Sequence, residues 1–521
     1  MFLLTILYVT TSALLEPEDL PYPRSVAPAT SVYVASTANL SHDDQVTLQT
    51  LAGVIARQAP AIYTVDSAPS DPDPNDTTHF WLRQLKELTS IAFHDDFLDD
   101  FPGLLAHFAK ELTGYVRYNP TNATNSALIR CAAEPGSVIA VAGDATSALL
   151  AAHGVPLVAD VSSSTPLDEF NRGAASLNQR VAVFQPDDGG KAHRLSDYSV
   201  FARAPVVWAP ESGTSPEFDA VLAHYDGARL NAAFGWGGDE HQWVAKCTQA
   251  GAVTHASDFA SNLALLANVP RPPPPPPLPP PPPVSPAKAP VHTVAFITSD
   301  GDNIQILQHK DFIDDDHYNS PLRGSIPVGW SYAPVMTELM PTLFEWVRSN
   351  LTANDSLSAA PSGTGYAFPA LFPPAQAAAF ARITGALMER ANQRLLNVLG
   401  VTPSAESLAP LAREAPVEAI SYLTFGAERF GYAALHGNVA YLEGKPVVGV
   451  RLSLWGDETS GAKVGVVGLV HPWPSTDLPL TFHSSSTHLP LTFHWLPMAF
   501  HGLPLAIHDL SRPSTTFHDI P

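Results

Sequence analysis

The sequence predicts an α/β protein: an N-terminal α/β support domain followed by a C-terminal irregular or incomplete (β/α) barrel-like domain. Three observations predict it. Short β-rich runs alternate with helical periodicity through the first half of the 521 residues, the alternation resumes after a proline block, and the first strand after that block is nearly all apolar and runs into carboxylates. Strands that alternate with helices imply a mostly parallel sheet covered on its faces.

Taken in order, Ser31 to Ser36 reads as the first strand, and Ser41 caps a helix whose Leu48, Leu51 and Ile55 share one face. Ala61 to Val65 is the next strand. The grammar returns at Ser137 to Val141, Ala145 to His153 and Val155 to Val158, with further strands at Val181 to Phe184 and Pro205 to Trp208. Pro272 to Pro277 and Pro279 to Pro283 cannot form a hydrogen-bonded ladder, so residues 270–290 read as a polyproline II linker between domains 25–269 and 291–470. Beyond it come the strand Val291 to Ser299, a helix from Pro341 to Arg348, and a helix from Pro374 to Leu399. The last has a core-facing stripe of Phe380, Ile383, Leu387, Ala391 and Leu395 and a stop at Gly400. Residues 471–521 are a low-complexity tail predicted to be disordered, in which Leu-Pro-Leu-Thr-Phe-His occurs at both 478–483 and 489–494.

Composition narrows the function. Fifty acidic against 28 basic residues leave a net charge of −22, which repels a phosphate backbone, so no nucleic-acid partner is expected. No internal run approaches the ~18–20 apolar residues of a membrane span. Cys131 and Cys247 are too few for a disulfide scaffold or a structural zinc site. Residues 1–15 resemble a signal peptide, and Asn39, Asn75, Asn122, Asn350 and Asn354 each begin an Asn-x-Ser/Thr sequon, so the chain is expected to be secreted or to reside in an extracellular or endomembrane lumen. Nucleotide, serine-hydrolase, zincin and Cys-x-x-Cys signatures are missing. No cofactor is expected.

The chemistry concentrates at Asp300-Gly301-Asp302-Asn303. Two carboxylates one residue apart at a strand end influence each other's ionisation, so one can serve as acid while the other stays charged, as glycoside cleavage requires. A calcium loop of EF-hand type is disfavoured, because Ile304 and Gln305 occupy its fifth and sixth positions. No metal is assigned; a cation held by Asp300 and Asp302, serving the hydrolysis of another ester, is the remaining metal reading. The second cluster is Gly363-Thr364-Gly365-Tyr366-Ala367-Phe368-Pro369, whose glycines let backbone approach a ligand and whose aromatics offer a stacking face. Glu338 is expected in the first turn of the Pro341 helix, where its charge suits the dipole.

Together these clusters resemble the GxGYxYP family of glycoside hydrolases, named for the second motif, with Phe368 standing where the family has its second tyrosine. The segments Ile326 to Trp330, Leu435 to Val439, Gly444 to Val448 and Arg451 to Trp455 are also similar to the family's, and the first half looks like its N-terminal domain. The resemblance implies a carbohydrate substrate. Asp300 and Asp302 are the catalytic candidates, and Asn303, Trp330, Tyr332, Gly363, Gly365, Tyr366, His436, Arg451 and Trp455 are the candidate substrate-binding residues. A non-catalytic glycan-binding surface protein is the alternative, motivated by Phe368 and by a C-terminal domain of about 180 residues, short of the ~250 of a full barrel.

Overall fold

In the computed structural model the first half forms three parallel sheets rather than one. The structure describes residues 16–67, 77–186, 191, 193–273, 293–298, 303–308, 318–401, 403–424, 439–449, 452–453 and 466–470. The signal-peptide segment, the proline block after residue 273 and the tail lie outside them. Strand β1 (Ser31–Ser36) is flanked by β2 (Ile62–Val65) and β3 (Ala92–His94). Strands β4 (Gly114–Arg117), β5 (Val138–Val141) and β6 (Leu157–Asp160) form the second sheet in the order β5-β4-β6. The third contains β7 (Val181–Phe184), β8 (Val206–Val207), β9 (Asn231–Gly235) and β10 (Ala252–Ala256), ordered β10-β9-β7-β8. Each set pairs with its neighbours in sequence, as short connections favour.

One helix joins the three. His42–Ala56 starts where Ser41 accepts the Asp44 N–H and is buried from Val46 to Ala56. Such all-round burial suits its run of small and apolar residues, and it touches β2, β5 and the Ser196–Ala202 helix that follows β7. Both cysteines are buried free thiols in this half.

The second half is built on one nine-stranded sheet. Strands β11 (Thr293–Ile297), β12 (Val328–Ser331), β13 (Asp355–Ala359), β14 (Leu395–Gly400), β15 (Ala419–Thr424) and β17 (Lys445–Gly449) run parallel in that order. Antiparallel strands close the two ends: β16 (Val439–Leu442) beside β17, and β19 (Val466–Val470) between β11 and β18 (Leu452–Ser453). Among the described residues six parallel strands lie side by side in chain order, the order found in the wall of a (β/α) barrel.

The predicted 374–399 helix is corrected. The helix is Pro374–Ala391, and Leu395 belongs to β14. Asn392 adopts a left-handed conformation (φ 60°) that ends the helix. Gln393 then turns inward and donates from its amide to the carbonyls of Tyr332 and Ser358, which anchors the start of β14.

Candidate active site at the strand ends

Six parallel strands bring their carboxyl ends to one edge, the usual place for chemistry in such sheets. From that edge at β11, β12 and β13 to mid-strand in β14 and β15, a row of small polar side chains crosses the sheet. Thr298, just past β11, takes the Gly329 carbonyl with its backbone N–H (2.8 Å) and accepts the Ser331 N–H on its hydroxyl (2.7 Å). The Ser331 hydroxyl reaches the Thr298 carbonyl and lies 3.1 Å from Ser358 Oγ in the adjacent strand. One strand further, Asn397 Oδ1 accepts from the Ser421 hydroxyl at 2.9 Å. The strand registers put Ser331, Ser358, Asn397 and Ser421 on one face, and all four are buried. Sequence reasoning missed this row; its signal was a hydroxyl or amide recurring in otherwise apolar strands.

The described residues stop at Thr298 and resume at Asn303. Asp300 and Asp302 fall between and lie outside the described residues, as do His436, Arg451 and Trp455. The backbone of Asn303 begins the Asn303–Leu307 helix. Among the described residues no group of three or more His, Cys, Asp or Glu is placed to hold a metal.

The glycine-aromatic motif is well defined. After β13, Ser362 (φ 62°) donates its N–H to Asn397 O at 2.8 Å and its hydroxyl to Leu399 O at 2.7 Å, which clamps the loop to β14. Gly363 has φ 139°, and a Cβ there would come within 2.5 Å of Thr384 Oγ1 and 2.9 Å of the Phe380 ring. Thr364 donates its N–H to Thr384 Oγ1 (3.0 Å). Gly365 passes so close to His255 that a Cβ would meet the imidazole at 2.7 Å. Tyr366 then exchanges backbone hydrogen bonds with Thr254 of β10 (2.8 and 2.9 Å), and its buried phenol donates to Glu240 at 2.8 Å. The motif therefore crosses from the second-half sheet to the third first-half sheet and pairs with it. Phe368 is fully buried and edge-on to Tyr366, with ring centroids 5.7 Å apart.

Trp330 and Tyr332 are buried behind the same edge. The indole N–H of Trp330 donates to Asp355 at 2.9 Å, and Asp355 also binds Arg323 at 2.8 Å. Burial raises the Tyr332 phenol well above its ordinary pKa. A void of about 10 Å³, about the size of one water, lies between Ile304, Met336, Gly365, Tyr366 and His255.

Glu338 departs from its expected place. It sits on the one-turn helix Met336–Leu339, before the Pro341–Ser349 helix, with its side chain fully buried and ion-paired to Arg24, Arg271 and Arg390. A lone carboxylate at that depth demands such partners, and they come from three distant parts of the chain.

Two effects at the motif are measurable. Gly363→Ala would combine a disfavoured positive φ with three contacts under 3 Å, so a loss of about 2–5 kcal/mol in urea unfolding is expected. Full burial pushes the His255 imidazole down to about 3, so it is neutral when it meets the Tyr22 hydroxyl at 3.0 Å. Unfolded, it takes its proton near 6.5, so its contribution is intact above pH 6.5 and falls as pH drops toward 3. Between pH 7 and 5 the wild type is expected to lose about 2 kcal/mol more than His255→Gln, again read from urea midpoints.

An α/β protein whose parallel strands carry a polar row, with a glycine-aromatic loop clamped across the neighbouring half, is the class the structure defines. The family described as "GxGYxYP putative glycoside hydrolase C-terminal domain" matches residues 290–470, its third domain matches 179–268 and its first domain 31–110. These matches cover more than half of the sequence, and the chain belongs to the GxGYxYP family. The first- and third-domain matches contain the first and third sheets of the first half. Among solved structures, the crystal structure of a putative hydrolase from Bacteroides thetaiotaomicron VPI-5482 is similar, with 23% identity, a TM-score of 0.71 and coverage of 86% of each chain. At that identity the likeness establishes a shared fold. No curated protein matches the chain. Among the described residues no helix is long and apolar enough to cross a membrane.

Proposed function

We propose that the chain is a secreted glycoside hydrolase that cleaves a poly- or oligosaccharide with Asp300 and Asp302 as its paired acid and base or nucleophile. The observation that carries this is β11: it heads six parallel strands, its exit at Thr298 is bonded into the polar row, and the sequence continues from there into the two aspartates. Strand ends of this kind hold catalytic groups because strand backbone is rigid and the groups beyond it are free to face substrate. Family membership supports a carbohydrate substrate.

Asn303, His436, Arg451 and Trp455 are assigned to sugar binding. Trp330, Tyr332 and Tyr366 are buried, so they act on the site from behind by holding the loops that border it, while Gly363 and Gly365 permit the close passage of the motif. Secretion is supported by the exposure of Asn39, Asn122, Asn350 and Asn354, the four sequon asparagines among the described residues.

The test is reducing-sugar release from a broad polysaccharide panel by wild type and by the Asp300→Asn, Asp302→Asn double variant. Release by wild type alone is expected. Equal release by the double variant would remove the aspartates from catalysis, and no release by folded wild type, with retention on an immobilised glycan, would make the chain a glycan-binding protein.

A further inference from the structure

Three guanidinium groups converge on one buried carboxylate. Arg24 comes from the N-terminal segment, Arg271 from the end of the first half and Arg390 from the Pro374–Ala391 helix, and Glu338 is their shared acidic partner. Three positive charges against one leave an excess of two, in a chain whose overall charge is −22. Burial first, and then the neighbouring Arg24 and Arg390, push the Arg271 guanidinium down to about 10.

The excess faces a cavity. Arg271 and Arg390 line an opening of about 310 Å³, with Pro272 and Pro341 as apolar walls. Arg348 also lines it but is matched by Glu345 at 2.8 Å, so that pair adds no net charge. The cavity lies at the lower end of the ~300–1,000 Å³ range of small-molecule sites, sized for one ring rather than a chain. The Pro341–Ser349 helix starts at its edge with no side-chain cap, so the positive end of the helix dipole adds to the same field.

We propose that this cavity is an anion-binding subsite for a single acidic sugar residue, whose carboxylate or sulfate ester is held by Arg271 and Arg390. Guanidinium groups match a planar or tetrahedral oxyanion with two hydrogen bonds each, which a neutral hydroxyl cannot return. The saccharide half of the assignment rests on the hydrolase reading; the anion half rests on the arginines and does not involve Asp300 or Asp302.

Calorimetric titration of the full chain with sodium glucuronate, glucose 6-sulfate, glucose and inorganic sulfate tests it. Binding of glucuronate or glucose 6-sulfate is expected, the stronger naming the source of the anion, with glucose silent. Arg271→Gln should weaken binding about tenfold to a hundredfold and still fold, because Glu338 keeps Arg24 and Arg390. Arg390→Gln should weaken it likewise, and wild-type affinity should fall as sodium chloride is raised. Equal affinity for glucose, binding of inorganic sulfate but neither sugar acid, or unchanged affinity in both variants would overturn the assignment. Sugar release from the polysaccharide panel is scored separately, so failure of binding here and failure of hydrolysis are distinguishable.

Discussion

Asp300→Asn or Asp302→Asn is expected to lower kcat for sugar release by about 10²–10⁴-fold, the usual contribution of a positioned acid or base. Asparagine keeps the shape and removes both the charge and the transferable proton, so the loss reports chemistry rather than packing. If the two carboxylates act on the same bond, the double variant should be little worse than the worse single one, because groups that work as a unit are not additive. Unfolding midpoints measured alongside separate a catalytic loss from a destabilised chain. A single variant with full kcat would take that aspartate out of the mechanism, and losses that multiply in the double variant would assign the two residues to independent tasks.

Glu338→Ala is the largest stability effect expected, about 3–5 kcal/mol in urea unfolding, the range seen when one partner of a buried ion pair is removed. The carboxylate has no exposed side-chain surface, whereas Arg24, Arg271 and Arg390 are 32%, 42% and 34% exposed. Deleting the anion leaves three partly buried cations facing one another, each desolvated and none neutralised. Glu338→Gln keeps the volume and one acceptor oxygen but loses the charge and turns the other oxygen into a donor facing arginine, so the difference between the two variants reports the cavity left by Glu338→Ala. A midpoint within about 0.5 kcal/mol of wild type for Glu338→Ala, no more than an ordinary surface substitution, would show that solvent already screens the cluster. The node ties residues 24, 271 and 390 to the Met336–Leu339 helix after β12, so the same variant should also loosen the strand-end edge.

The local grammar was legible. The β1 strand, the Ser41-capped helix and the near-continuous apolar strand before Asp300 follow from propensity, capping and periodicity, which act over a few residues. Where the Pro374 helix stops was not legible. Leu395 continues the stripe at a spacing of four, so hydrophobic periodicity runs on through the break, and only the left-handed turn at Asn392 ends it.

The candidate site divides the same way. Residue type and short spacing were enough to pick out the aspartate pair and the glycine-aromatic motif, whereas the order of the parallel strands came from the structure. Tertiary structure alone decided that the Tyr366 phenol is given to Glu240, 126 residues away, and that Glu338 gathers Arg24 from 314 residues away. It also decided that Thr298, Ser331, Ser358, Asn397 and Ser421 form one row across five strands. Burial and pairing energies act through space, so a tyrosine that reads as a sugar platform in a loop becomes, once β10 lies against it, the hydrogen-bonded seam between two halves of the protein.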